Sequence, residues 1–272
     1  MIDVPSRVLL IEDNVAEAGL VQAALAKATG KPFRVEWVSS LAAALKRLAG
    51  EEFEVILLDF SLPDGRSLDV FKQVFQEAPN SVFLVLCSAE DEAIARQAVQ
   101  RGAEDYLVKG HVDAHWLPRA LHYLIERKAI RDALRASEAR FRAISDASPL
   151  GIFVSDLQGG CVYTNVAYHK ISGLSFDQAL GTNWATAIHP DDRQRVLAEW
   201  RYAGMGWEPF QTEYRFLQED GSIVWTRVSS APMYDGTHPY GRVKTVEDIT
   251  QRKVAELALQ AAEDALFDER ER

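Results

Sequence analysis

The sequence has little of what marks secreted, membrane-spanning or nucleic-acid-binding proteins. Its 272 residues include two cysteines, Cys87 and Cys161, whose separation fits neither a metal motif nor a disulfide framework and favours a reducing compartment. The N-terminus lacks the basic and apolar run of a signal peptide, and no apolar run approaches the length that spans a bilayer. The net charge of −10, without a cluster of Lys and Arg, argues against nucleic acid. We therefore expect a cytoplasmic protein that has no membrane or nucleic-acid partner.

The apolar residues are numerous enough for two domains. Hydrophobic side chains make up 47% of the chain, and a chain of this length usually divides into two cores. In the first half, five short apolar runs alternate with helical spacing, from residues 7–11 to residues 106–108. This pattern predicts an α/β fold with a doubly wound, five-stranded parallel sheet and helices on both faces. The run at 55–58 is the most apolar, which predicts a central strand buried on both faces.

Charged and polar residues follow four of these strands. Glu12 and Asp13 follow the first strand, Asp59 the third, Ser88 the fourth and Lys109 the fifth. Because the carboxyl ends of parallel strands meet at one edge, the three carboxylates would repel each other unless a cation lay among them. Oxygen ligands with open positions suit Mg²⁺, and Ser88 and Lys109 could then donate to a phosphoryl group on Asp59. The predicted chemistry is attack of a carboxylate on phosphorus, which gives an acyl phosphate.

In chain order these residues resemble the active-site set of response-regulator receiver domains, and the resemblance covers residues 5–127. It implies a flavodoxin-like fold, an acidic pair at Glu12 and Asp13, and a phosphoacceptor at Asp59. It also implies that the main-chain carbonyl of Ser61 is a further ligand to Mg²⁺. The expected phosphoryl donor is a sensor histidine kinase or a phosphotransfer protein.

The same resemblance implies a phosphate-contacting lysine at Lys109 and switch positions at Ser88 and Tyr106. Two departures limit it: Gly110 stands where the family usually has a proline in a cis bond, and the loop at 63–65 is short. Each residue also has an ordinary structural alternative. Ser88 could simply cap the helix that follows it, Tyr106 could be a rim aromatic, and Lys109 could be a surface lysine.

A phosphatase of the haloacid-dehalogenase type is the main enzymatic alternative. Such enzymes also use an aspartate at a strand end, but they carry a second aspartate two residues later, where this chain has Ser61. We therefore expect a phosphoacceptor and regulatory module rather than an enzyme that turns over phosphoesters.

A long helix is expected to follow the receiver. One stripe on it has the spacing of a helix packed on its own sheet and contains Leu117, Leu121, Leu124 and Ile125. A second stripe alternates steps of four and three residues, which favours a two-stranded coiled coil and hence a homodimer; it contains Ile130, Leu134, Ser137, Phe141 and Ile144. The alternative is a solvated helix that touches the next domain. The predicted division is a receiver at 1–127, a helical linker at 128–145, a PAS domain at 146–250 and a C-terminal helix at 251–272.

The PAS assignment comes from the second half of the chain. Two short strands, several short helices and three longer strands follow one another there, which predicts an α+β domain with a five-stranded antiparallel sheet. The pattern resembles a PAS domain, and it is carried by Asp156, Gly159, Tyr163, Thr164, Asn165, Gly173, Gly181, the run at 189–193, Asp220, Gly221, Trp225 and the run at 248–250.

The sequence favours no haem or flavin in this domain. Residues 182–185 contain no cysteine where the blue-light members have one, and Cys161 is expected to be a small core residue. His189 is expected to cap the next helix and His169 to face solvent, so neither is placed as an axial ligand. A dimerising and relaying module is favoured over a pocket for a small ligand.

The sequence as a whole predicts phosphorelay signalling by the N-terminal part of a longer protein. Phosphorylation of Asp59 with Mg²⁺ would change the receiver, and the linker and PAS domain would relay that change. The output would be a domain beyond Arg272, of the diguanylate cyclase, phosphodiesterase or hybrid histidine kinase type, with cyclic-di-GMP turnover as one possibility. The alternative is a PAS-based sensor of a small molecule or cofactor with a vestigial receiver.

Overall fold

The chain forms two compact units, up to Arg135 and from Ala136 onwards. The computed structural model describes residues 4–65, 67–110 and 115–270; of residues 202–206 and 264–270 it describes the backbone. Among these described residues, no helix has both the length and the apolar character that are needed to cross a bilayer.

The first unit is a parallel α/β sheet with helices on both faces. Its elements are β1 (Ser6–Ile11), α1 (Val15–Ala26), β2 (Phe33–Val38), α2 (Leu41–Leu48), β3 (Val55–Asp59), α3 (Ser67–Glu77), β4 (Val82–Cys87), α4 (Glu92–Gln100), β5 (Asp105–Val108) and α5 (Trp116–Ala147). The strand order is β2-β1-β3-β4-β5, with all neighbours parallel. This confirms the predicted flavodoxin-like architecture.

The sheet has a separate hydrophobic core on each face. Successive residues of a strand point to opposite faces, so Ile56 lies in one core and Leu57 in the other, and Phe83 and Leu84 divide in the same way. Every residue of β3 and β4 is buried. Both strands are therefore apolar throughout, apart from Asp59 at the end of β3. The central position of β3 brings Asp59 to the middle of the carboxyl edge.

The helix ends follow local capping chemistry. Asn14 accepts hydrogen bonds from the amides of Ala16 and Glu17 and so begins α1, and Ser40 accepts one from Ala43 at the start of α2. Helix α4 begins at Glu92, two residues later than the charge pattern suggests, because residues 88–91 form a separate turn. The predicted start of the following helix near Ala114 lies outside the described residues.

Helix α5 links the two units and is 32 residues long. In the first unit Leu117, Leu121 and Leu124 are buried against the sheet, as their spacing predicts. The side chain of Glu104, just before β5, is 5% exposed and lies 2.6 Å from Arg131 of α5. This ion pair holds a later part of α5 against the first unit. The second stripe is mostly exposed, and its apolar members have more than half of their surface in solvent: Ile130, Leu134, Phe141 and Ile144.

The second unit has an antiparallel five-stranded sheet with its helices placed against it. After α5 come β6 (Gly151–Ser155), β7 (Cys161–Thr164), α6 (Val166–Ser172), α7 (Phe176–Ala179), a 3-10 helix (Asn183–Ala187), α8 (Pro190–Gly206), β8 (Phe210–Leu217), β9 (Ile223–Asp235), β10 (His238–Asp248) and α9 (Thr250–Arg270). The strand order is β7-β6-β10-β9-β8. This confirms the predicted PAS architecture.

Two of the three histidines in this unit carry a prediction from the sequence: His189 as a helix cap and His169 as a residue that faces solvent. His189 does cap α8, because its Nδ1 accepts a hydrogen bond from the Asp191 amide at 3.3 Å. His169 is half-buried, and its Nε2 lies 2.8 Å from the Thr164 hydroxyl, so it faces solvent only in part. The partner residue is on β7, just before α6, and sequence spacing alone does not reveal such a turn.

We predict that the core position Leu57 is far more sensitive to truncation than an exposed leucine. Leu57→Ala should lower the free energy of unfolding of the first unit by about 2–5 kcal/mol, because it removes buried methyl groups and leaves a cavity. Leu20→Ala, on the exposed face of α1, should change it by no more than about 0.5 kcal/mol. Urea unfolding followed by circular dichroism measures both, and similar losses in the two variants would contradict the buried strand.

Candidate functional site

Three carboxylates meet at the carboxyl edge of the parallel sheet. Glu12 and Asp13 follow β1 and Asp59 ends β3, the neighbouring strand, and each of the three has an oxygen within 4.8 Å of the others. Glu12 and Asp59 are buried, whereas Asp13 is exposed. A set of oxygen ligands that is open on one side suits a hard cation that keeps some of its water. The cluster could therefore hold a divalent metal ion.

The backbone and side chain of Glu12 are both fixed by neighbours. Its amide donates to the carbonyl of Val38 at 3.0 Å, which extends the β1–β2 ladder by one residue. The Trp37 indole donates to the Glu12 carbonyl at 2.7 Å. The Asn14 amide donates to Glu12 Oε1 at 3.1 Å. These contacts leave the carboxylate with one orientation, towards the sheet edge.

The electrostatics of Glu12 favour a cation beside it. Burial raises the pKa of Glu12 to about 7, and the charge of Asp59 contributes, although hydrogen bonds with Lys109 and the Asn14 amide oppose the rise. A bound cation would favour its charged form, because metal ligands must be deprotonated.

Lys109 neutralises part of this negative charge. Its Nζ lies 2.9 Å from Asp59 Oδ1 and 3.0 Å from Glu12 Oε2, and it also forms an ion pair with Glu17. Burial alone lowers the pKa of Lys109, but the hydrogen bonds with Glu17, Asp59 and Glu12 outweigh that effect and hold the pKa above its ordinary value. Lys109 therefore stays positively charged among these carboxylates.

The two oxygens of Asp59 have different surroundings. Oδ1 accepts a hydrogen bond from the Ser61 amide at 3.0 Å and contacts Lys109. Oδ2 is buried, and it has no hydrogen-bond partner among the described residues. Buried polar atoms usually have partners, so an oxygen left without one is available to a metal ion or to a phosphorus atom.

The proposed switch residues both contact the start of α4. Ser88 Oγ donates to Asp91 Oδ2 at 2.7 Å and accepts from the Asp91 amide at 3.2 Å. Ser88 therefore stabilises the turn before α4, in keeping with the structural alternative of a helix-capping serine. The Tyr106 hydroxyl donates to Glu92 Oε1 at 2.8 Å. Neither side chain has a hydrogen bond to Asp59 among the described residues.

Gly110 gives the chain a left-handed backbone conformation directly after Lys109. The Lys109 amide donates to the Cys87 carbonyl at 2.7 Å and so continues the β4–β5 ladder. Gly110 then adopts a φ of +93°, in the region that only glycine enters without strain, and no cis peptide bond occurs in the described residues. The departure from the family pattern therefore places a left-handed turn directly after the lysine.

Sequence reasoning missed Glu17 as a member of the site. Glu17 lies in the first turn of α1 and contacts Lys109 directly. A usable signal was present: α1 begins immediately after the acidic pair, so an acidic residue in its first turn returns to the same sheet edge. The signal was overlooked because acidic residues are common in first turns, where they interact favourably with the helix dipole.

Comparison with known families identifies both halves of the chain. The family model described as response regulator receiver domain matches residues 8–121, and the model described as PAS fold matches residues 162–246. The chain thus carries a response regulator receiver domain followed by a PAS domain. Both are regulatory modules.

Three relatives with a curated description show what kinds of protein this chain is similar to. The protein y4lL of Sinorhizobium fredii, described as uncharacterized, is 37% identical over 48% of this chain and 16% of its own length. The sensor histidine kinase TmoS of Ectopseudomonas mendocina is 23% identical over 96% of this chain and 30% of its own length. The response regulator PmrA of Pseudomonas aeruginosa is 31% identical over 38% and 45%, respectively. The chain thus spans less than half of each relative.

Solved structures resemble each unit separately. A PAS domain from Colwellia psychrerythraea is 27% identical, covers 43% of this chain and 98% of its own, and gives a TM-score of 0.38. The receiver domain of a putative Luxo repressor from Vibrio parahaemolyticus is 24% identical, covers 48% and 98%, and gives a TM-score of 0.43. The fold assignments above depend on the strand orders and not on these scores.

We predict that Lys109 is needed for stability when no metal ion is present. Lys109→Met should lower the free energy of unfolding by about 3 kcal/mol, because it leaves Glu12 and Asp59 as buried carboxylates without their cation. Millimolar MgCl₂ should restore part of the loss. Lys72→Met, at an exposed position of α3, is the matched control. If urea titrations gave Lys109→Met the stability of the control, the ion pairs would have no energetic role.

Proposed function

We propose that this chain accepts a phosphoryl group on Asp59 from a sensor histidine kinase or a phosphotransfer protein in the cytoplasm. The observation that supports this best is that the two oxygens of Asp59 have different contacts. Lys109 and the Ser61 amide contact Oδ1, while Oδ2 has no hydrogen-bond partner among the described residues. In the reaction, an Asp59 oxygen forms a bond to phosphorus as the phosphorus–nitrogen bond of a phosphohistidine breaks. The leaving imidazole keeps the electron pair and takes up a proton.

Mg²⁺ is the metal ion that we propose for the site. Glu12, Asp13, Asp59 and the main-chain carbonyl of Ser61 would hold it, and the buried Asp59 Oδ2 fits this assignment. A bound Mg²⁺ would neutralise charge on the phosphoryl oxygens during transfer. Lys109 would then bind a phosphoryl oxygen with the Nζ that now contacts the carboxylates.

The response to phosphorylation would pass through Ser88 and Tyr106. A phosphoryl group on Asp59 offers the Ser88 hydroxyl a charged acceptor that competes with Asp91. Loss of the contact between Ser88 and Asp91 would loosen the turn before α4, to which the Tyr106 hydroxyl is bonded through Glu92. The two-state element would therefore be the start of α4.

The proposed division of labour follows the predicted domain bounds. Residues 1–127 would receive the phosphoryl group, and the helical segment 128–145 would pass the change to the PAS domain at 146–250 and the helix at 251–272. The similarity to TmoS, a sensor histidine kinase, covers nearly the whole chain and favours a kinase as the output. Cyclic-di-GMP turnover is the second candidate output, and no feature of the described residues favours it.

Phosphorylation of Asp59 is tested by mass spectrometry of the intact protein. With Mg²⁺ and acetyl phosphate, the wild-type chain should gain one phosphoryl group, since a small donor can react without a partner protein. Asp59→Asn should gain none, whereas Asp69→Asn, in the exposed first turn of α3, should gain one. A phosphorylated Asp59→Asn protein, or a wild type that never reacts, would falsify the proposal.

We further propose that the exposed stripe of α5 forms the seam of a parallel homodimer. The stripe has coiled-coil spacing, and its apolar members have more than half of their surface exposed, although the ring of Phe141 lies 5.1 Å from that of Tyr163. Light scattering should give twice the chain mass of 30.4 kDa. Replacing both Ile130 and Leu134 by Glu should give the monomer mass without unfolding, since both residues are exposed in the monomer.

The matched control for the dimer is Ala139→Glu, on the side of the helix opposite the stripe. It adds one glutamate to the same exposed helix and should leave the dimer intact. A wild-type chain that stays monomeric at tens of micromolar would remove the dimer from the mechanism.

A further inference from the structure

The PAS unit contains a cavity of about 580 Å³. It lies between the β6–β7 turn, the 3-10 helix, α8 and β10. This volume is in the range of about 300–1,000 Å³ that is typical of small-molecule sites. Its walls combine the indoles of Trp184 and Trp200 with the cationic side chains of Arg242 and Lys244.

Lys244 is a buried cation that no carboxylate balances. It is 5% exposed, and among the described residues it forms no ion pair and no hydrogen bond. Its Nζ instead lies 3.7 Å from the ring centre of Trp200, 4.4 Å from that of Phe153 and 4.7 Å from that of Trp184. Aromatic faces attract a cation, but they do not replace the hydration that burial removes.

A second buried cation lies on the same face of the same strand. Arg242 precedes Lys244 by two residues on β10, and side chains two apart point to one face of a sheet. Arg242 is 6% exposed and donates to the Ser230 hydroxyl at 2.9 Å and to the Glu208 carbonyl at 2.6 Å. The two cations repel each other, so the face favours an anion.

Two further polar atoms on residues of the cavity wall lack a hydrogen-bond partner among the described residues. Trp200 Nε1 and Ser155 Oγ are buried and have no hydrogen-bond partner among the described residues. An indole N–H can only donate, and a hydroxyl can donate. The carboxylate of Asp156 also lines the cavity, but its Oδ1 accepts from the amides of Gln158 and Gly160 in the β6–β7 turn.

We propose that this cavity binds a planar organic carboxylate, whose anionic group lies between Lys244 and Arg242 and whose ring packs between the nearly perpendicular indoles of Trp184 and Trp200. The donors and cations select an anionic acceptor, and the indole walls select a flat apolar body. A small inorganic anion would leave the aromatic walls uncovered. Binding of such a ligand would be a signal to the PAS domain that is independent of phosphorylation of Asp59.

Proton uptake provides a signature of this site. Burial, together with the charge of Arg242, lowers the pKa of Lys244 to about 7, and the other ionisable groups around it are Cys161 on β7, Asp156 in the turn and Arg201 on α8. A carboxylate beside Lys244 would raise that pKa again. Binding should therefore be strongest below pH 7, weaken as the pH rises above it, and take up a proton at pH 8.

The test uses the full chain with 2-naphthoate and its uncharged analogue 2-naphthamide, followed by tryptophan fluorescence and calorimetry. Naphthoate should bind at one site and at least about tenfold more tightly than the amide, which corresponds to about 1.4 kcal/mol. At pH 8 the binding enthalpy of naphthoate should change with the ionisation enthalpy of the buffer. Equal affinities for acid and amide, or no saturation by naphthoate at about 1 mM, would overturn the proposal.

Variants separate the site from the fold. Lys244→Met should weaken naphthoate binding about tenfold or more and abolish the buffer dependence, yet its melting temperature should not fall, because an apolar side chain replaces an uncompensated buried charge. Lys170→Met, at an exposed position of α6, is the matched control. Trp200→Phe keeps an aromatic ring but removes the N–H donor, and it should weaken binding several-fold. Unchanged binding in both Lys244→Met and Trp200→Phe would place the ligand elsewhere.

Discussion

The receiver unit depends on holding several carboxylates at one edge of a sheet without letting their repulsion open the fold. Lys109 does this by contacting Glu12, Glu17 and Asp59 at the same time. Burying carboxylates is unfavourable unless a cation lies beside them, and the Lys109 ammonium is such a cation.

The position of the acids follows from topology. Adjacent parallel strands β1 and β3 end at the same edge, so residues that are 47 positions apart in sequence, 12 and 59, come within reach of one cation. The next strands, β4 and β5, end beside them and lead to Ser88 and Lys109. The turn that begins α4 therefore lies at the same sheet edge as Asp59.

Half-buried Lys109 and buried Lys244 show how surroundings decide what the same side chain does. Lys109 lies among carboxylates that keep it charged, whereas Lys244 lies among indole and phenyl rings that cannot supply a counter-charge. Burial lowers the pKa in both cases, and only Lys109 has the ion pairs that reverse the effect. A lysine that is buried without a counter-ion lowers stability, and a fold retains such a residue at a cost that a bound anion can offset.

The sequence by itself determined the fold classes, the order of strands and helices, and the residues at the strand ends, because hydrophobic periodicity and strand-end chemistry are local properties of the chain. It also determined which stripe of α5 packs on the sheet, through the spacing of Leu117, Leu121 and Leu124. Only the tertiary structure decided that Glu17 joins Lys109, that Ser88 is held by Asp91, and that Lys244 is enclosed by aromatic rings. Those contacts join separate elements, and their distances depend on how strands and helices pack, which no spacing along the chain encodes.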